Sequence, residues 1–129
     1  MNDSLSSLEL SHIVAGLAWI AGAKVEKVFQ QEKPVDDLLF ALHVPGKGKA
    51  YLYASLPRVI CSSSFKPDFP DMPPHFCASL RRKITGARIA AVSQVGFERI
   101  MCLTLSSKKG ESRLYIELLP PGNVVLVDE

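Results

Sequence analysis

The stretch Gln94-Val95-Gly96-Phe97-Glu98-Arg99-Ile100 sets an acid beside a base between two apolar runs, Ile89 to Val92 and Ile100 to Leu105. Gly96 can adopt φ > 0, so the segment predicts a hairpin turn with the charged pair where the next strand begins. Neighbours in a strand point to opposite faces, so Glu98 and Arg99 could not both be idle charges on one face. Two readings stand. One is a turn salt bridge or two solvated edge charges. The other is a pair held out for a ligand.

Other chemistries find little material. Cys61, Cys77 and Cys102 are odd in number and lack C-x-x-C spacing, so they read as buried reduced thiols, not as a disulfide framework. His12, His43 and His75 are scattered, without H-x-x-x-H or H-E-x-x-H spacing. No metal or other cofactor is expected. The net charge of +2 over 129 residues announces no nucleic-acid binding by itself, so any such site must be a local patch. No apolar run approaches the ~20 residues of a membrane span. The opening Met1-Asn2-Asp3-Ser4 lacks the positive region of a signal peptide. A cytoplasmic protein away from the membrane is expected.

The elements that must position the pair follow from periodicity. Ser6 and Glu9 have capping-box spacing. Leu10, Ile13, Val14, Leu17 and Ala21 then recur at helical intervals, with Gly22 as the left-handed cap. Strands are predicted at 23–30, 38–44, 49–54 and 58–62, with a break at Pro34 after the first. Residues 63–74 hold Pro67, Pro70, Pro73 and Pro74 with Phe65 and Phe69 between them, a stiffened connection. A second helix, capped by Asp71 or Met72, runs to about Thr85, and Gly86 stops it. Strands at 87–92, 99–105, 112–118 and 124–127 complete the chain. Phe97 reads as an anchor for its turn, and Trp19 as a packing residue.

This order repeats without a gap, at the step that carries position 22 to position 86. Gly22-Ala23-Lys24-Val25 returns as Gly86-Ala87-Arg88-Ile89, Gln30 as Gln94, Gly46 as Gly110, Tyr51 as Tyr115 and Pro57 as Pro121. The expected fold is α+β: an antiparallel sandwich or pseudobarrel of about eight strands and two helices, with a pseudo-two-fold repeat. Residues 1–129 would form a single domain with halves at about 5–62 and 69–126. Lys24 and Arg88 occupy matching points of the halves, which favours a structural job for both.

The ordered set Met72-Pro73-Pro74-His75-Phe76-Cys77, Leu80-Arg81-Arg82-Lys83, Gly86-Ala87-Arg88-Ile89 and Gln94 to Ile100 resembles the NFACT amino-terminal domain. Helix-one residues Ser7 to Leu10, the run Gly22 to Gln30 and the closing Gly122 to Asp128 extend the resemblance over nearly the whole chain. That family comprises ribosome quality-control factors, also called fibronectin-binding-protein-A-like proteins. Its members are several times longer, so the resemblance implies a domain cut from a larger protein. It also implies an RNA- and tRNA-engaging role on the large ribosomal subunit carrying peptidyl-tRNA, alongside the other domains of the full-length factor, during untemplated tailing of stalled chains.

The family's functional Asp-Arg pair falls on Glu98 and Arg99, and its helix-one acid on Glu9; both acids are one methylene longer here. Glu9 is equally explained by its capping box. Arg81 and Arg82, with Lys83, either complement the dipole at a helix C-terminus or contact RNA phosphate. Arg88 joins the RNA-binding candidates. The fold is shared with formamidopyrimidine-DNA glycosylases, whose nucleophile is an N-terminal proline amine beside a glutamate. Asn2 and Asp3 stand in those places, so no glycosylase or lyase chemistry is expected. A non-catalytic DNA-binding module of that fold and a fibronectin-binding surface adhesin are the alternatives.

Overall fold

The computed structural model describes residues 6–31, 36–63, 66, 68–69 and 73–128. Helix α1 (Ser7–Gly16) opens with the expected capping box: Glu9 N donates to Ser6 Oγ at 3.1 Å, and Ser6 N donates to Glu9 Oε1 at 3.0 Å. Periodicity predicts this helix as far as Ala21. The α-helix instead stops at Gly16, a poor helix residue, and a single 3-10 turn (Ala18–Ile20) carries the chain to Gly22. Helix α2 (His75–Ile84) has Pro74 at its N-cap and Arg81, Arg82 and Lys83 in its last turn. The expected caps Asp71 and Met72, the break at Pro34, and Phe65, Pro67 and Pro70 lie outside the described residues, as do Asn2 and Asp3.

Eight strands form: β1 (Lys24–Gln31), β2 (Asp36–Val44), β3 (Gly48–Leu56), β4 (Val59–Ser63), β5 (Arg88–Gln94), β6 (Ile100–Ser107), β7 (Gly110–Glu117) and β8 (Asn123–Asp128). All neighbours are antiparallel, in the order β4-β3-β2-β1-β5-β6-β7-β8. The two four-stranded halves are therefore not separate layers but one sheet joined at its middle. The join is short. Only Lys24 and Arg88 are ladder partners there, and they occupy the same place in the two halves. Around them Val25 N donates to Ala87 O and Ile89 N to Ala23 O, both at 2.8 Å. Gly22 N donates to Ile89 O at 2.7 Å and Gly86 N to Val25 O at 2.8 Å. Each bond has its counterpart when the halves are exchanged, so a pseudo-two-fold axis passes between Lys24 and Arg88.

The same symmetry explains how the sheet curls. Both central strands are bulged, at Glu26 between Val25 and Lys27, and at Ala90 between Ile89 and Ala91. An extra residue bends a strand and changes which face the following side chains meet. Val25 and Ile89 are buried, the next two residues of each strand are exposed, and Val28 is buried again. The bend brings the far turns together: a Cβ on Gly122 would lie 2.9 Å from Leu56 Cβ and 3.2 Å from Pro57. One continuous core results. It takes Val28, Phe40, Leu52 and Ile60 from the first half, Ile89, Met101, Leu103, Leu114 and Ile116 from the second, and Leu10, Ile20, Leu80 and Ile84 from the helical segments.

The helices cross over. Helix α1 packs on β5 and α2 packs on β1, so each half covers the central strand of the other. Val28 O shows how closely α2 is tied down. It accepts from Cys77 Sγ at 3.2 Å and from Arg81 Nε at 2.7 Å. Burial raises the Cys77 thiol above its ordinary range, with Arg81 pulling weakly the other way. Among the described residues no helix is long and apolar enough to cross a membrane.

Candidate nucleic-acid interface

The turn between β5 and β6 is closed by its own backbone. Val95 N donates to Ile100 O and Glu98 N to Val95 O, both at 3.0 Å, with Gly96 at φ +55. Strand β6 starts at Ile100, so Glu98 and Arg99 lie in the turn and not on alternate faces of a strand. Arg99 O accepts from Leu118 N at 2.7 Å, which fixes the turn to the end of β7.

Gln94 does the rest. Its Nε2 donates to Ser7 O at 2.9 Å, 87 positions away, and to Glu98 O at 2.8 Å. One side-chain amide thus holds the N-terminus of α1 against the turn. The result is a concavity of about 410 Å³ lined by Ser6, Ser7, Phe97, Glu98, Arg99 and Leu119. In the sequence Gln94 is visible only as part of the motif; a contact spanning the chain has no local signal.

Among the described residues neither Glu98 nor Arg99 makes a side-chain hydrogen bond or ion pair, so the turn salt bridge does not form. Phe97 does not anchor the turn as expected: its ring is 92% exposed, because the backbone bonds and Gln94 already hold the loop. Leu8, at 68% exposure in the first turn of α1, with Val95 and Leu119, adds further exposed apolar surface. An accessible ring beside a free guanidinium and a free carboxylate can stack on a base, hold a phosphate and accept from a base edge. Glu9 sits at the same helix N-terminus, exposed, with Oε1 in the capping box; the Ser6 backbone bond, then the Ser6 hydroxyl, lower its carboxyl below the ordinary range.

The other sequence-selected residues lie elsewhere. Arg81 is half-buried on β1, its guanidinium 5.4 Å from the Phe29 ring centre. Arg82 is exposed and, with Lys83, Lys109, Glu111 and Asp128, lines a hollow of about 450 Å³ between the end of α2 and the β6–β7 turn. Arg88 is exposed at the pseudo-axis, its Nη1 donating to Gly22 O at 3.1 Å. Glu98 and Arg99 share one turn, and Gln94 ties that turn to the start of the helix that carries Glu9.

A family model described as NFACT N-terminal and middle domains matches residues 6–129. The chain is 23% identical over 131 residues to the archaeal Rqc2 homolog aRqcH of Methanocaldococcus jannaschii, covering 99% of this chain and 20% of that protein. It is 31% identical over 119 residues to the Rqc2 homolog RqcH of Bacillus subtilis, covering 84% and 20%. Against the ribosome quality control complex subunit NEMF of Homo sapiens the figures are 28% identity, 99% and 12%. The chain thus spans at most a fifth of these relatives. Among solved structures, the N-terminal domain of fibronectin-binding protein PavA from Streptococcus pneumoniae superposes with a TM-score of 0.84 at 26% identity, over 95% of this chain and 49% of that one. The N-terminal part of the fibronectin/fibrinogen-binding protein of Streptococcus suis gives 0.85 at 22%, over 98% and 50%, a likeness of fold. With the family match running from Ser6 to the last residue, the chain belongs to the NFACT amino-terminal domain family.

Proposed function

We propose that this domain engages tRNA for a ribosome quality-control factor that acts on large ribosomal subunits with peptidyl-tRNA and promotes untemplated tailing. In this reading the domain itself is not an enzyme, and it works in the cytoplasm. The observation that carries it is the held-out group at the β5–β6 turn: an exposed Phe97 ring, with Arg99 and Glu98 side chains unpaired among the described residues, clamped by Gln94 to the helix bearing Glu9. Membership of the family of the Rqc2 and NEMF proteins supports the partner class. Phe97 would stack on an unpaired base, Arg99 would take a phosphate or a base face, and Glu98 would accept from a base amine or 2′-hydroxyl.

The test is tail addition by full-length protein, normalised to folded, ribosome-bound molecules. Arg99→Ala is expected to weaken tRNA binding and lower the salt slope by about one unit. Glu98→Ala is expected to alter tRNA choice with a smaller salt effect. Wild-type tailing by the Glu98→Ala, Arg99→Ala double variant would refute the proposal.

A further inference from the structure

Phe29 carries an unusual concentration of charge. Lys66 Nζ lies 4.5 Å from its ring centre, Lys27 Nζ 5.2 Å and Arg81 Cζ 5.4 Å. The ring is half-buried and braced by Phe69, with centroids 5.7 Å apart. A ring face attracts each cation, but three like charges around one centre also repel one another. Among the described residues no carboxylate lies within ion-pair distance of any of the three. Within the described residues the cluster thus carries positive charge without a counter-charge, which an anion would relieve.

We propose that Lys27, Lys66 and Arg81 around Phe29 form a second site, which takes backbone phosphate of RNA; this rests on the RNA-engaging role proposed above. It is separate from the β5–β6 turn. Strands β1 and β5 meet at Lys24 and Arg88 and run apart from there in opposite directions, Phe29 lying along one and Gln94 along the other. Arg81 is already oriented: its Nε donates to Val28 O at 2.7 Å and its guanidinium lies against the Cys77 thiol. Such a fork fits two phosphate oxygens, and the lysines act as point charges beside it.

A polymer suits the surface better than a small anion. The next two residues of α2, Arg82 and Lys83, are exposed and share a hollow of about 260 Å³ with Lys108 and Lys109. Positive charge thus continues from Phe29 along α2 to the β6–β7 turn, while the whole chain carries only +2. A run of phosphates can follow that track.

The experiment uses the full-length protein, deacylated tRNA as probe, and the Lys27→Gln, Lys66→Gln double variant, which leaves the Arg81–Val28 bond in place. The expected result is weaker tRNA binding with a salt slope lower by about one to two units, at an unchanged melting temperature. Arg81→Lys, which keeps the charge but loses the fork, is expected to weaken binding with little change of slope. An unchanged slope in the double variant, while Arg99→Ala still weakens binding, would overturn this site and leave the turn standing. No tRNA binding by the wild type would overturn both. Loss of binding to vesicles of phosphatidylcholine with phosphatidylserine, with the tRNA slope unchanged, would assign the cluster to a membrane surface and also overturn it.

Discussion

Gln94 offers the sharpest test of how the candidate interface is held. Its amide donates at 2.9 Å to Ser7 O and at 2.8 Å to Glu98 O. A net hydrogen bond is worth about 0.5–1.5 kcal/mol. The Ser7 bond is part-buried and the Glu98 bond exposed, so water recovers more of the second. With two such bonds lost, one of them partly replaced by water, Gln94→Ala is expected to cost about 1–2 kcal/mol. Gln94→Glu keeps the shape but points a carboxylate at two carbonyl oxygens. Its charged form is repelled in the folded state, while its protonated form can still donate one bond. The introduced carboxyl should thus have a folded-state pKa above the ordinary ~4.3. An acid raised on folding is well tolerated below its unfolded pKa, and that stability is lost as pH rises through the folded value. In urea unfolding, Gln94→Glu should match or exceed Gln94→Ala near pH 4 and fall below it at pH 7. tRNA binding should drop in both variants by more than the unfolded fraction explains. Wild-type stability of Gln94→Glu at pH 7, or no difference between the two pH values, would refute the clamp.

Three further outcomes follow from the geometry. Gly86 and Gly122 share φ +89, but a methyl group on Gly86 meets nothing within 4 Å, whereas on Gly122 it meets Leu56 and Pro57. Gly86→Ala should cost only the left-handed penalty of about 1–2 kcal/mol and Gly122→Ala about 1–3 kcal/mol more; equal melting temperatures would show that the far turns do not touch. Cys61 is exposed while Cys77 and Cys102 are buried, so a thiol reagent should label one cysteine in the native state and three in urea. Because partial burial raises the Cys61 thiol, its labelling rate should keep climbing with pH beyond the ordinary cysteine range, and an early plateau would contradict this. Ser6→Ala removes the hydroxyl, the smaller of the two causes, and keeps the Ser6 N–H that is the larger one, so the Glu9 carboxyl should rise by NMR titration but stay below its ordinary range; a full return to that range would mean that the backbone bond does not hold it.

The repeat was legible because glycines, prolines and strand residues keep their places along the chain. All eight strands could be read with ends within two positions of those observed. The join of the halves could not. It rests on one ladder pair, Lys24 and Arg88, and on bulges at Glu26 and Ala90 that interrupt the alternation a strand reading depends on. The turn was legible through Gly96 and its charged pair. The exposure of Phe97 was not: an aromatic ring beside a glycine turn reads as an anchor, and the bond from Gln94 to Ser7, which leaves the ring no such job, has no local signal. Arg81 read, with its run of three, as a complement to the helix dipole or a phosphate contact. The run does not show which member faces β1.

The crossed helices make the domain its own dimer. Because α1 covers β5 and α2 covers β1, neither half carries the lid for its own central strand. A chain cut in the proline-rich connection would leave two pieces, each bearing the other's missing part. The fold is thus held by an exchange within one molecule, and the connection keeps that exchange from becoming an encounter between molecules.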